Sequence, residues 1–200
     1  MKIYPHLSAE RLANVYLVTD DEGTGLIVDP AHIDKEIIEH IESCCRNLAA
    51  VLITHRHVTH TEGLGTLTKI YSVDIYAASD EINGIKCRRI SDGSRLRIGN
   101  LDIEAISVPG HSMDSLVYRI NGGALFTGDT LLSGSIATTH SHIEKELLVH
   151  SICTRLLTLP DTAIIYPGHG ALSKLRIEKM FNHDLLESAD WDKRNLKARI

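Results

Sequence analysis

The 200-residue sequence contains no apolar stretch approaching the roughly 18 residues that a membrane-crossing helix requires. Its start, Met1-Lys2-Ile3-Tyr4-Pro5-His6, lacks the apolar core of a secretory signal, so a cytoplasmic protein with no membrane partner is expected. No Lys/Arg-rich run accompanies the formal net charge of -5, which argues against nucleic acid as a partner. Cys44, Cys45, Cys87 and Cys153 form no Cys-x-x-Cys pair and read as reduced, partly buried thiols, so neither a disulfide nor a thiolate metal site is expected. No internal period of 20 to 50 residues appears, which excludes a repeat architecture. The length suits a single domain over 1–200 with one core and no linker.

Against these scarcities stand twelve histidines, well above ordinary usage, and their positions decide what they mean. Val15–Thr19 and Gly25–Asp29 are β-branched apolar runs either side of the polar stretch Asp20–Thr24, which predicts a hairpin. Ile37, Ile38 and Ile41 recur at helical spacing from Asp34, an N-cap residue type, to about Cys45; Ala49–Ile53 then reads as a buried strand. Leu64, Leu67 and Ile70 predict another helix, and Val73–Ala77 another strand. Arg95–Ile98, Leu101–Ile106 and Leu116–Ile120 alternate polar with apolar around turns at Gly99-Asn100 and Asn121-Gly122, which predicts an antiparallel meander. Ala124–Thr127 follows as a strand, then a helix over about 143–159, a strand at Ala163–Tyr166 and a polar, helix-prone tail. Two sheets with outer helices fit this order.

Thr54-His55-Arg56-His57-Val58-Thr59-His60 lies between the strand ending at Ile53 and the next predicted helix. His55 and His57, two apart in an extended segment, share a face, and His60 approaches from the helix start. Three further strands end on ligand-type residues: Val108-Pro109-Gly110-His111, Phe126-Thr127-Gly128-Asp129 and Tyr166-Pro167-Gly168-His169. A glycine before each lets the backbone turn tightly toward the sheet edge. Any one of these alone is better explained as a surface histidine or a capping aspartate. Four strand ends together predict a transition-metal site, zinc by preference, drawing on His55, His57, His60, His111, Asp129 and His169.

These motifs, together with Asn14–Pro30 and Leu157–Pro160, resemble the metallo-β-lactamase superfamily, and within it the small glyoxalase II-type hydrolases. The resemblance spans nearly the whole chain. It implies an αββα sandwich, two mixed β-sheets flanked by helices, with the site at one sheet edge. It assigns His55, His57 and His111 to a first metal, Asp129 to a bridging position, and His60 and His169 to a second metal. Asp129 and His60 are the implied catalytic residues, and Asp29 an outer support for a ligand histidine. The implied reaction is zinc-dependent hydrolysis of a small-molecule thioester or related ester by a metal-activated water.

The sequence departs from the family pattern in three places. The usual His-x-His-x-Asp-His has Thr59 where the Asp stands, and a threonine hydroxyl is a weak neutral ligand. One zinc held firmly and a second that is weak or absent is therefore expected, with iron or manganese compatible with the donors; Thr59 is free to cap the following helix. After Gly134-Ser135-Ile136 the usual Gly-Arg and Asp are replaced by Ala137-Thr138-Thr139-His140-Ser141-His142. His140 and His142 read as exposed loop residues, as do His6, His32, His40, His150 and His183. Only 31 residues follow His169, too few for the helical glutathione-contacting domain of full-size glyoxalase II enzymes. Arg176, Lys179 and Arg194 read as a solvated helical face. Two other classes stand beside the hydrolase: a mononuclear iron persulfide dioxygenase using His55, His111 and Asp129, and a degenerate metal-binding protein. β-Lactam hydrolysis and nuclease activity fit the charge and the N-terminal sequence less well.

Overall fold

The computed structural model describes residues 1–188. It opens with three antiparallel strands, β1 (Lys2–Ser8), β2 (Ala13–Thr19) and β3 (Thr24–Val28), then helix α1 (Lys35–Cys44) and β4 (Asn47–Leu52). Helices α2 (Val58–Thr61) and α3 (Leu64–Ile70) precede β5 (Asp74–Ala77) and three two-residue strands, β6 (Glu81–Ile82), β7 (Ile85–Lys86) and β8 (Arg88–Arg89). The meander is β9 (Arg95–Ile98), β10 (Leu101–Ser107), β11 (Leu116–Ile120) and β12 (Ala124–Gly128). Helix α4 (His142–Ser151) runs into a π-helical turn, Ile152–Leu156, and then come β13 (Ile164–Pro167), β14 (Ser173–Lys174), α5 (Leu175–Phe181) and α6 (His183–Glu187).

The strands form two six-stranded sheets, in the orders β1-β2-β3-β4-β5-β8 and β14-β13-β12-β11-β10-β9. Both are mixed: β3 with β4, β4 with β5, and β12 with β13 are parallel, whereas the hairpins are antiparallel. Apolar side chains fill three layers. Ile37 and Ile41 of α1 and Leu64 and Leu67 of α3 pack on Leu17, Ile27 and Val51 outside the first sheet. Tyr16, Val18 and Leu52 meet Ile103, Tyr118 and Phe126 between the sheets. Leu148, Ile152 and Leu156 cover Val117, Leu125 and Ile165 outside the second sheet. This is the expected αββα sandwich. β2 is buried at all seven residues, which is why its sequence runs apolar instead of alternating.

Several expectations are corrected. β1 lies on a sheet edge, where Pro5 interrupts no interior ladder, and that proline with its polar neighbours hid the strand. The helix expected over about 143–159 stops being α-helical at Ser151. Thr59 is not a cap: the N-cap of α2 is His57, and Thr59 sits inside the helix. His6 is buried on β1 with its Nε2 3.2 Å from Asp34 Oδ2, not exposed on a loop. His32 and His40 are half-buried, whereas His140, His142, His150 and His183 are exposed. Asp34 caps α1 as expected, accepting the Ile37 N–H at 2.9 Å. All four cysteines are half-buried and none is in a disulfide. Among the described residues no helix is long and apolar enough to cross a membrane. Arg194 and the end of the polar tail lie outside the described residues.

Candidate metal centre

The parallel pairs bring strand ends together. β3 and β4 pair to Val28 and Leu52, so Asp29 and the Thr54–His60 segment leave the first sheet side by side. β12 and β13 pair to Gly128 and Pro167, so Asp129 and His169 leave the second sheet the same way. Bonds between the sheets fix these ends: Leu116 N–H donates to Thr54 O at 2.8 Å, Tyr118 Oη to Ile53 O at 2.8 Å, and Tyr16 Oη to Pro167 O at 2.6 Å. Asn14 holds the last loop, its amide donating to Pro167 O and Gly170 O at 2.9 Å each, while Ala13 bridges to His169.

The glycines work in two ways. Gly128 is left-handed (φ 50), so it turns the chain where a side chain would strain it. Gly168 is needed for room: a Cβ there would come within 2.4 Å of His60 Cε1 and 2.7 Å of Asp129 Oδ1.

His57 Nδ1 lies 3.0 Å from His55 Nε2 and 3.1 Å from His111 Nε2. The outer nitrogens settle two of the tautomers. Thr54 Oγ1 donates to Asp29 Oδ2 at 2.6 Å, so toward His55 it is an acceptor, and His55 carries its proton on Nδ1 at 3.1 Å. His111 Nδ1–H donates to Thr138 O at 2.8 Å. Both Nε2 atoms therefore turn lone pairs inward toward His57. One proton on His57 satisfies only one of the two contacts, and an ion satisfies both. Tetrahedral zinc with bonds of about 2.0–2.1 Å spaces its nitrogens about 3.3 Å apart, close to the spacing found, so the donor set fits that ion. Burial pushes His55 down to about 3, helped by the charge of His60, and burial and His111 also lower His57. Both are neutral at pH 7, as a ligand imidazole must be.

Asp129 Oδ2 lies 3.9 Å from both His55 Nε2 and His111 Nε2. His60 runs between two carboxylates, Nδ1 to Asp29 Oδ2 and Nε2 to Asp129 Oδ2, each at 3.1 Å. Burial alone would lower the His60 pKa, but Asp29 and Asp129 outweigh it and hold it up at about 10. Asp129, which burial alone would raise, is held well below the usual carboxylate range by bonds from His169 and His60. His169 Nδ1–H donates to Asp129 Oδ1 at 2.7 Å. Among the described residues, two triads bring three donor atoms within 4.8 Å of one another: His55, His57, His111 and His55, His60, Asp129. His169 belongs to neither.

All six sequence-predicted residues thus lie in one connected cluster, five of them in the two triads and His169 joined through Asp129. The sequence reading did not find Thr54, Thr138 or Asn14. Thr54 had a signal, since it directly precedes His55; the carbonyl of Thr138, 27 residues from His111, had none. His140 and His142 stay outside: the His140 side chain is exposed, and His142 pairs with Glu146 on α4.

No protein-family model matches the chain. A hydroxyacylglutathione hydrolase of Chromohalobacter salexigens is 32% identical over 162 residues, covering 80% of this chain and 62% of that protein. The chain therefore spans less than two thirds of that relative's length. The probable polyketide biosynthesis zinc-dependent hydrolase BaeB of Bacillus velezensis is 30% identical over 161 residues, covering 77% of this chain and 71% of that protein. Among solved structures, the B3 metallo-β-lactamase BLEG-1 superposes with a TM-score of 0.81 at 24% identity, over 92% of this chain and 99% of that one. On fold, motif order and sequence identity, the chain belongs to the metallo-β-lactamase superfamily as a glyoxalase II-like member.

Proposed function

We propose that this protein is a zinc-dependent hydrolase of a small-molecule thioester or related ester. Its firmly held ion sits on His55, His57 and His111, with Asp129 beside it. The observation that carries this reading is the inward convergence of the His55 and His111 lone pairs on His57, with both outer nitrogens occupied. The relatives named as hydrolases, one of them zinc-dependent, support the reaction class. Zinc at such a site supplies Lewis acidity toward a carbonyl and lowers the pKa of a bound water toward about 7.

The chain's own residues do the remaining work. Asp129, kept ionised by His60 and His169, accepts hydrogen bonds at the mouth and orients the attacking water. A thiolate leaves without a proton donor because its pKa is near 8.5, so the exposed histidines are not needed for departure. A second ion would draw on His60, Asp129 and His169, but Thr59 brings no carboxylate and His169 Nδ1 is bonded to Asp129. That arrangement supports weak occupancy of a second position.

Thr59→Asp tests the reading: the variant should gain a second metal equivalent and hydrolyse thioesters about tenfold or more faster at saturating zinc. If neither wild type nor variant turns over any thioester, lactone or phosphodiester when loaded with zinc, the hydrolase reading fails. His55, His111 and Asp129 also carry the donor types of a two-histidine, one-carboxylate iron triad, with Asp129 Oδ2 3.9 Å from each histidine. Oxygen uptake by iron-loaded protein given a persulfide would favour that reading instead.

A further inference from the structure

The three histidines of the tight triad arrive from both sheets, His55 and His57 on one segment and His111 on another, and their relative placement needs a joint. The loop that carries His111 leaves β10 at Ser107 and closes at Ser115, where Val108 N–H donates to Ser115 O at 3.0 Å and Ser115 N–H to Ser112 O at 3.2 Å. At its base, Leu116 N–H reaches Thr54 O at 2.8 Å. Nearer the histidines, Asp114 Oδ2 accepts the backbone N–H of Arg56, the residue between His55 and His57, at 3.2 Å. The other oxygen, Oδ1, accepts the hydroxyl of Ser112, the residue after His111. The Asp114 side chain is only 11% exposed, so water competes little for these bonds.

In an extended segment, residues two apart share a face only while the peptides between them hold their planes. The Arg56 N–H belongs to the peptide that links His55 to Arg56, so its bond to Asp114 fixes that plane and ties it to the loop that places His111. The contacts of His57 Nδ1 to the other two imidazoles, at 3.0 and 3.1 Å, depend on that spacing. The Arg56 guanidinium contributes less: its Nε lies 3.5 Å from Asp114 Oδ2, and its side chain is 65% exposed, where an ion pair adds little. We propose that Asp114 is a positioning residue for the metal centre, joining its two ligand-bearing segments through the Arg56 backbone N–H. This role rests on the three-histidine zinc site and not on the reaction catalysed there.

The test is the zinc affinity of metal-free protein, by competition with a chromophoric chelator, together with the visible absorption of the cobalt-loaded form. Asp114→Ala should bind zinc about tenfold more weakly and weaken the intense bands of four-coordinate cobalt. In Asp114→Asn the amide oxygen can still accept the Arg56 N–H while the Ser112 hydroxyl turns to accept from the amide nitrogen, so its affinity should stay within about threefold of wild type. Arg56→Ala keeps the backbone N–H and should match the wild type. Unchanged affinity and spectrum in folded Asp114→Ala would overturn the proposal. Equal losses in Asp114→Asn and Asp114→Ala would also overturn it, by making charge the cause, and a loss in Arg56→Ala as large as in Asp114→Ala would assign the effect to the ion pair instead. Should Asp114→Ala not fold, Ser112→Ala, which frees one carboxylate oxygen, decides: a loss of about threefold supports the joint, and no loss rejects it. Wild-type protein that binds no zinc rejects the three-histidine site itself, and the role of Asp114 with it.

Discussion

At the scale of single residues, the carboxylate of Asp29 meets three donors. It accepts Thr54 N at 2.8 Å, Thr54 Oγ1 at 2.6 Å and His60 Nδ1 at 3.1 Å, from a left-handed backbone (φ 52) at the end of β3. One buried acid thus orients His60 directly and His55 through the threonine. Thr54→Val preserves the shape of the side chain but removes the acceptor that holds His55 in its Nδ1–H form. Zinc affinity should fall about tenfold, measured by competition with a chromophoric chelator. Unchanged affinity would show that packing alone sets the His55 tautomer. The inner residues were legible because histidines two apart, and glycine-ligand pairs at strand ends, leave a mark in sequence. Thr138 left none, because its backbone carbonyl is the acceptor and any side chain would serve as well.

At the scale of elements, the β2–β3 turn is organised by Asp20. Its Oδ1 accepts the Glu22 and Thr24 N–H groups at 2.9 and 2.8 Å, and its Oδ2 accepts Asn100 N–H at 2.9 Å from the β9–β10 turn of the other sheet. The bond from Asn100 is the foremost of several that hold this carboxyl below its ordinary pKa. A depressed carboxylate stabilises the fold above its unfolded pKa of about 3.9, and the contribution fades as pH falls through the folded value. Asp20→Asn should therefore cost about 1 kcal/mol in urea unfolding near pH 7, with the two proteins converging toward pH 2. A gap independent of pH would mean that shape, not charge, is what Asp20 supplies. Hydrophobic pattern revealed α1, β2 to β5 and the meander. It missed β6 to β8, whose two residues each are too few for a period. The end of α4 was misjudged because the apolar pattern runs on through the π-helical turn. The start of α4 is set by Ser141, which accepts Glu144 N–H at 3.2 Å, while Glu144 in turn accepts His140 N–H at 2.9 Å.

At the scale of the whole molecule, the centre depends on both sheets and on the C-terminal helices. The first sheet brings His55, His57 and His60, and the second brings His111, Asp129 and His169. Helices α5 and α6 hold the loop leading to Thr138: Glu178 accepts Gly134 N–H at 2.9 Å, Asp184 accepts Ile136 N–H at 3.0 Å, and Asn182 donates to Ser135 O at 2.9 Å. Glu178 and Asn182 are almost fully buried, so polar residues in what reads as a solvated tail are in fact structural. The spacing of charges along the chain hid this, because their partners in the Gly134–Ile136 loop lie more than forty residues away.

The central claim is that one zinc is held on His55, His57 and His111, and the direct measurement is metal content. Protein purified without added metal and dialysed extensively should retain about one equivalent of zinc per chain, and His57→Ala should lose it while remaining folded by circular dichroism. Two equivalents in the wild type, or one equivalent undiminished in His57→Ala, would contradict the account.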